Sequence, residues 1–172
     1  MCEPVTEAVL IQCGDSVIDL AIGNVEAGGA PFAAIIINQN GEIIGQGVNQ
    51  VSKYVDCTAH AEIQAIREAS RNERNHSLKG ATIIASGEPC ALCYLAIRMA
   101  EIGKVLIVSD RYEAENHGFD YLWTYRYFNA SLFHELEVVT LDNERKLLPF
   151  QLAKNRPEGM LNRGSPHWEG NR

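Results

Sequence analysis

Residues 81–109 read ATIIASGEPCALCYLAIRMAEIGKVLIVS. Ala81 to Ser86 is a nearly unbroken apolar run of strand length, the pattern of a strand buried on both faces. Gly87 and Pro89 interrupt it, and proline suits the opening of a helix because the N–H it lacks would have no partner there. A helix is expected from Cys90 to Glu101, stopped by Gly103, and Lys104 to Ser109 is a second apolar strand. Two buried strands joined through a helix lie side by side and parallel, so the fold class is α/β.

Working outward, Val9, Leu10, Cys13, Val17, Leu20 and Ala21 recur at three-to-four spacing, which predicts an amphipathic helix from Thr6 to Glu26 ending at Gly28-Gly29. Phe32 to Asn38 and Glu42 to Val48 flank an Asn-Gly turn signal and read as a hairpin, with Asn49 just beyond it. Thr58 is expected to cap a helix from Ala59 to Arg74, with Ile63, Ile66 and Ala69 inward and Arg67, Glu68 and Arg71 outward. After Asp110 the pattern loosens into an aromatic cluster (Phe119, Tyr121, Trp123, Tyr125, Tyr127, Phe128) and a strand from Glu135 to Leu141. The chain is expected to divide into a domain, 1–148, and an irregular tail, 149–172, that is either docked on the site or a partner subunit or partly disordered.

The 172 residues are 46% apolar and 22% charged, the composition of one globular domain. Fifteen basic residues against 22 acidic ones give a net charge of -7, which argues against nucleic acid and for a small-molecule substrate. No run reads as long or apolar enough to cross a membrane, and Met1 to Asp15 lacks the basic start and apolar stretch of a signal peptide. The expected location is therefore cytoplasmic, and five cysteines without regular spacing are not a disulfide framework.

Chemistry concentrates at His60-Ala61-Glu62 and Pro89-Cys90-Ala91-Leu92-Cys93, each opening an expected helix. A catalytic zinc takes three protein ligands and keeps one position for water, and His60, Cys90 and Cys93 supply three. Cysteines three apart on a helix face one point, whereas His60 and Glu62, two apart, do not share a face. Their tasks therefore differ, with Glu62 taking a proton from a zinc-held water, as hydroxide forms, and passing it to a leaving nitrogen. Backbone N–H groups near Cys90 are candidates to hold the new oxygen. A lone C-x-x-C also occurs in redox sites, structural zinc sites and ordinary cores, but a redox motif does not account for His60 and Glu62, and a structural zinc has no need of the Glu62 carboxylate. Cys57 reads as a small buried residue and not a fourth ligand, and His76, His117, His134 and His167 as surface or core histidines.

H-x-E followed by P-C-x-x-C is the signature of zinc-dependent base deaminases. With Gly29-Ala-Pro-Phe-Ala33, Gly47-Val-Asn-Gln-Val51, Thr58-Ala-His-Ala-Glu-Ile63 and Glu88-Pro-Cys-Ala-Leu-Cys93, the chain resembles the cytidine deaminase-like superfamily from Pro31 to Tyr127. The branch it resembles holds bacterial guanine deaminase, tRNA adenosine deaminase and fungal cytosine deaminase. The resemblance implies a three-layer α/β/α sandwich with a mixed central sheet, a homodimer, and zinc on His60, Cys90 and Cys93 with Glu62 as proton shuttle. Gly118-Phe-Asp120 is similar to guanine deaminase, which implies Asp120 and Asn49 as base-reading residues, with Phe32 on the ring and Ala61 beside the substrate. A carboxylate capping a following helix is the competing reading of Asp120. Cys57, where relatives carry proline, and the chain from Asn129 depart from the family pattern. Guanine deamination to xanthine and ammonia is the expected reaction. The alternatives are cytosine, a triazine or a pterin as substrate, tRNA adenosine deamination, or a noncatalytic zinc-stabilised binding module.

Overall fold

The structure, a computed structural model, describes residues 5–127 and 135–156. Its framework is the parallel pair foreseen in residues 81–109: strand β3 (Thr82–Gly87) and strand β4 (Lys104–Ser109) lie in parallel register, Ile83 opposite Val105 and Ala85 opposite Ile107. Helix α4 (Ala91–Met99) joins them; it ends two residues earlier than expected, and Glu101, at positive φ, turns the chain before Gly103 is reached.

Strand β1 (Ala33–Ile37) pairs antiparallel with β3 on one side and with β2 (Ile43–Val48) on the other, the expected hairpin. Strand β5 (Glu137–Thr140) adds parallel to β4, giving a mixed sheet in the order β2-β1-β3-β4-β5.

Helix α1 (Glu7–Glu26) covers one face of the sheet, its N-terminus capped by the Thr6 side chain. Val17, Ile18, Ala21 and Val25 of α1 are buried, the first three in one cluster with Ile35, Ile37, Ile84 and Val108. At 20 residues α1 does have the length and apolarity of a membrane-crossing helix, contrary to expectation; here its apolar stripe is buried on the sheet. The other face carries helix α3 (Ala61–Glu73) and α4, whose Tyr94 and Ile97 are fully buried with Ala34, Ile36 and Ile83. The three layers are those the resemblance implied.

Helix α3 corrects two expectations. His60, not Thr58, is its N-cap; the Thr58 N–H and hydroxyl both donate to Asp56, at 2.8 and 2.7 Å, in the turn that precedes it. Its buried face is Ala61, Ala65 and Ala69, while Ile63 and Ile66 are half-buried. The cause lies in β2, where Gly45 and Gly47 let α3 come so close that a Cβ on Gly45 would stand 2.6 Å from the Ala65 carbonyl. A helix face packed at that separation takes only small residues, here alanine.

A short helix α2 (Val51–Tyr54), not foreseen, follows β2. Helix α5 (Arg111–Asn116), with an Asp110–Glu113 capping box, leads to a 3-10 helix over Leu122–Tyr127 inside the expected aromatic cluster. Residues expected to be irregular from 149 instead begin as helix α6 (Leu148–Lys154), opened by Pro149 and packed beside α1 with Phe150 fully buried. Phe128, His134, His167, Trp168 and the rest of the tail lie outside the described residues.

Candidate active site

Both halves of the site stand where a helix begins. His60 is the N-cap of α3 and Cys90 the N-cap of α4, and neither side chain caps its own helix. They turn to each other instead: His60 Nδ1 lies 3.5 Å from Cys90 Sγ and 3.4 Å from Cys93 Sγ, and the two sulfurs are 3.6 Å apart. A tetrahedral zinc with bonds of about 2.3 Å to sulfur and about 2.0 Å to nitrogen separates its sulfurs by about 3.8 Å and sulfur from nitrogen by about 3.5 Å. The donor spacing therefore fits the metal, and among the described residues these three form the group of His, Cys and carboxylate side chains that converges.

Glu62, one residue into α3, is 5% exposed, and its Oε2 lies 3.3 Å from Cys93 Sγ, which donates to it. Burial pushes its pKa up, and the neighbouring Cys90 adds to the rise. The two thiols diverge. Cys90 is lowered to about 4, first by its hydrogen-bond contact with Cys93 and further by His60, while burial raises Cys93. Desolvation alone would lower His60, but the hydrogen bond and charge of Cys90, with Glu62 and Asp56, raise it overall. The N-termini of α3 and α4 also favour negative charge on the sulfurs.

The residues expected to meet a substrate are placed less uniformly. Phe32 is half-buried and stacks edge-on with Phe119 at 5.6 Å, Tyr121 at 6.0 Å and Phe150 at 5.5 Å. Ala61 is buried at the start of α3. Asn49 is tied into the loop: its side-chain oxygen accepts from the Val51 N–H at 3.2 Å, and its carbonyl accepts from Asn24 at 3.1 Å. Asp120 is exposed and accepts from the Leu122 N–H at 2.9 Å, the capping role. The Ala91 N–H, a candidate for holding an oxyanion, donates to Thr124 at 3.3 Å. Cys57 is exposed, not buried, and stands outside the metal-ligating group.

Sequence reasoning gave no role to Glu88, Arg111 or Phe150. Glu88 is 7% exposed and paired with Arg111; the charge just before Pro89 was the available signal. Phe150 had none, because a seven-residue helix is too short for periodicity to reveal.

Three donors at metal-binding spacing with a buried carboxylate against them, at the helix-opening edge of an α/β/α sandwich, form an arrangement that zinc hydrolases use. Residues 15–109 match the family model described as cytidine and deoxycytidylate deaminase zinc-binding region, and the chain belongs to that family, hydrolases acting on C–N bonds. It is 37% identical over 110 residues to guanine deaminase of Bacillus subtilis strain 168, covering 63% of this chain and 70% of the relative. The crystal structure of guanine deaminase from Bacillus subtilis superposes with a TM-score of 0.67 at 29% identity, covering 90% of this chain and 97% of that one. It is 42% identical over 81 residues to the tRNA-specific adenosine deaminase of Buchnera aphidicola subsp. Schizaphis graminum, covering 47% of this chain and 53% of the relative, so it spans about half that relative's length. A structure of NE0047 in complex with 2,6-diaminopurine aligns with a TM-score of 0.70 at 25% identity, covering 83% of this chain and 78% of that one.

Proposed function

We propose that the chain hydrolyses the exocyclic amino group of a free purine base, converting guanine to xanthine and ammonia. The observation that carries this reading is the convergence of His60, Cys90 and Cys93 at tetrahedral spacing with the Glu62 carboxylate 3.3 Å from one of the sulfurs. Zinc, when bound there, supplies a water whose pKa is brought to about 7.

Glu62 accepts a proton from the attacking water and returns it to the heterocycle, then carries the second proton to the leaving amino group; a C–O bond forms and the C–N bond breaks. Its burial against the donor set, 3.3 Å from the Cys93 sulfur, puts the carboxylate where both transfers take place. Phe32, held by three aromatic neighbours, packs on the base. Asn49 offers its amide to the carbonyl edge, and Asp120 accepts from the ring N–H and amino edge. Ala61 leaves room beside the ring. The similarity to guanine deaminase and to a protein holding 2,6-diaminopurine supports a purine over cytosine, and a net charge of -7 opposes RNA. The same reading includes a homodimer built on α4, whose Leu92, Leu95 and Met99 form an exposed apolar stripe on the helix that carries the cysteines.

Zinc-loaded protein assayed for ammonia release from guanine, cytosine, adenine, their nucleosides and an anticodon-stem RNA tests the proposal. Guanine is expected to be fastest, and activity on RNA alone overturns it. Glu62→Ala is expected to retain zinc and base binding while turnover falls by about 10²- to 10⁴-fold.

A further inference from the structure

Glu88 is a nearly buried carboxylate two residues ahead of Cys90, and the proposed hydrolysis gives it no part. Burial of such a group has to be offset by partners. One carboxylate oxygen accepts from the Arg111 backbone N–H at 2.9 Å; the other accepts from the Arg111 guanidinium and from the Tyr94 hydroxyl at 3.3 Å. Tyr94 directly follows Cys93 on α4, so one carboxylate grips the chain on both sides of the cysteine pair.

The backbone between is held in the same way. The Glu88 N–H donates to the Ser109 carbonyl at 2.8 Å, and the Glu88 carbonyl accepts from the Tyr121 hydroxyl at 2.8 Å. The Pro89 carbonyl accepts from the Tyr125 hydroxyl, and the Ala91 N–H donates to Thr124. The Arg111 guanidinium lies 3.8 Å from the centre of the Tyr125 ring, which joins the ion pair to the aromatic segment. The turn presenting Cys90 thus takes these bonds from the end of β4, the start of α5 and the aromatic segment around the 3-10 helix. Tyr121 also has its ring against Phe32, so one residue touches both the metal-ligand turn and the aromatic wall.

We propose that Tyr121, Tyr125 and the Glu88–Arg111 pair are positioning residues for the metal: they fix the backbone of residues 88–91 so that Cys90 and Cys93 present their sulfurs at the spacing zinc needs. This rests on the zinc reading of the site. Groups behind metal ligands typically contribute about 10- to 100-fold in metal affinity, which sets the size of the effect.

The test uses the full chain with Tyr121→Phe, Tyr125→Phe and the double variant, each removing only hydroxyls. Zinc affinity is measured by competition with a chromophoric chelator, and Co²⁺ alone is added to read the thiolate charge-transfer and d–d bands. Each single variant is expected to weaken zinc binding about 10-fold and the double about 100-fold, with altered cobalt bands, while the metal-free melting temperature falls only by about 2–4 °C per hydroxyl removed. Arg111→Lys is expected to keep more affinity than Arg111→Gln, and Tyr127→Phe, at an 84% exposed position, to match the wild type. Wild-type affinity and cobalt bands in the double variant overturn the proposal and leave the zinc reading standing. A wild-type chain that binds neither zinc nor cobalt overturns both.

Discussion

Gly47→Ala probes how the fold sets the site. A Cβ at Gly47 would stand 2.5 Å from the Ala65 nitrogen, 2.7 Å from the Gln64 Cβ, and in collision with the Ala61 carbonyl. Non-bonded carbon contacts are most favourable at about 3.5–4.0 Å, so α3 has to withdraw by about 1 Å. Most of the opposing atoms are helix backbone and cannot rotate away. Overpacking of this kind costs about 1–3 kcal/mol, and at about 2–4 °C per kcal/mol for a domain of this size the upper end lowers the melting temperature by about 6–12 °C. The displaced end of α3 carries His60 and Glu62, while Cys90 and Cys93 sit on α4 and do not follow. A misplacement of about 1 Å in a catalytic constellation costs on the order of 100-fold in rate. Thermal unfolding of the metal-free protein, zinc competition and steady-state ammonia release measure the three consequences. A loss of less than about 2 °C with kcat/KM within about threefold of wild type would refute the close-packing account. Gly23→Ala is the control: nothing lies within 4 Å of the added Cβ inside α1, and stability is expected to rise by about 0.5–1 kcal/mol.

Metal-free Glu62→Gln should be more stable than the metal-free wild type at pH 7. Burial raises the folded pKa of Glu62 above its unfolded value near 4.5, so the native state binds the extra proton and wild-type stability falls as pH climbs from 4.5 through the folded pKa. The advantage of the variant is therefore expected to vanish below pH 4.5, and a pH series of denaturant midpoints in chelator reads it. Asp120→Asn keeps an oxygen for the Leu122 N–H and should leave the melting temperature unchanged. If Asp120 also reads the base, the variant loses a charged hydrogen bond worth about 1.5–3 kcal/mol, and kcat/KM for guanine drops about 10- to 150-fold. An unchanged kcat/KM would leave Asp120 with capping alone. Phe150→Ala removes a fully buried ring packed on Phe32 and Phe119, and urea unfolding should show a loss of about 3–5 kcal/mol.

Apolar periodicity and helix-opening residues were enough to read the β3-α4-β4 unit, the β1–β2 hairpin and α1 directly, because each is encoded by local pattern. The donor set was legible for the same reason: three spacings along the chain, His60 to Glu62, Pro89 to Cys90 and Cys90 to Cys93, are the chemistry's own distances written onto helix starts. What the chain alone could not give was whatever depends on approach between distant segments. Ala61, Ala65 and Ala69 look unremarkable beside Ile63 and Ile66 until Gly45 and Gly47 press against them. The Tyr121 and Tyr125 hydroxyls reach backbone carbonyls more than thirty residues away, and Phe150 meets Phe32 across more than a hundred. Hydrophobic pattern determines that a helix has a buried face. Which residues of that face touch the sheet, and whether a carboxylate such as Asp120 caps a turn or faces a pocket, is decided by interaxial distance and loop course, which exist only once the tertiary structure has formed.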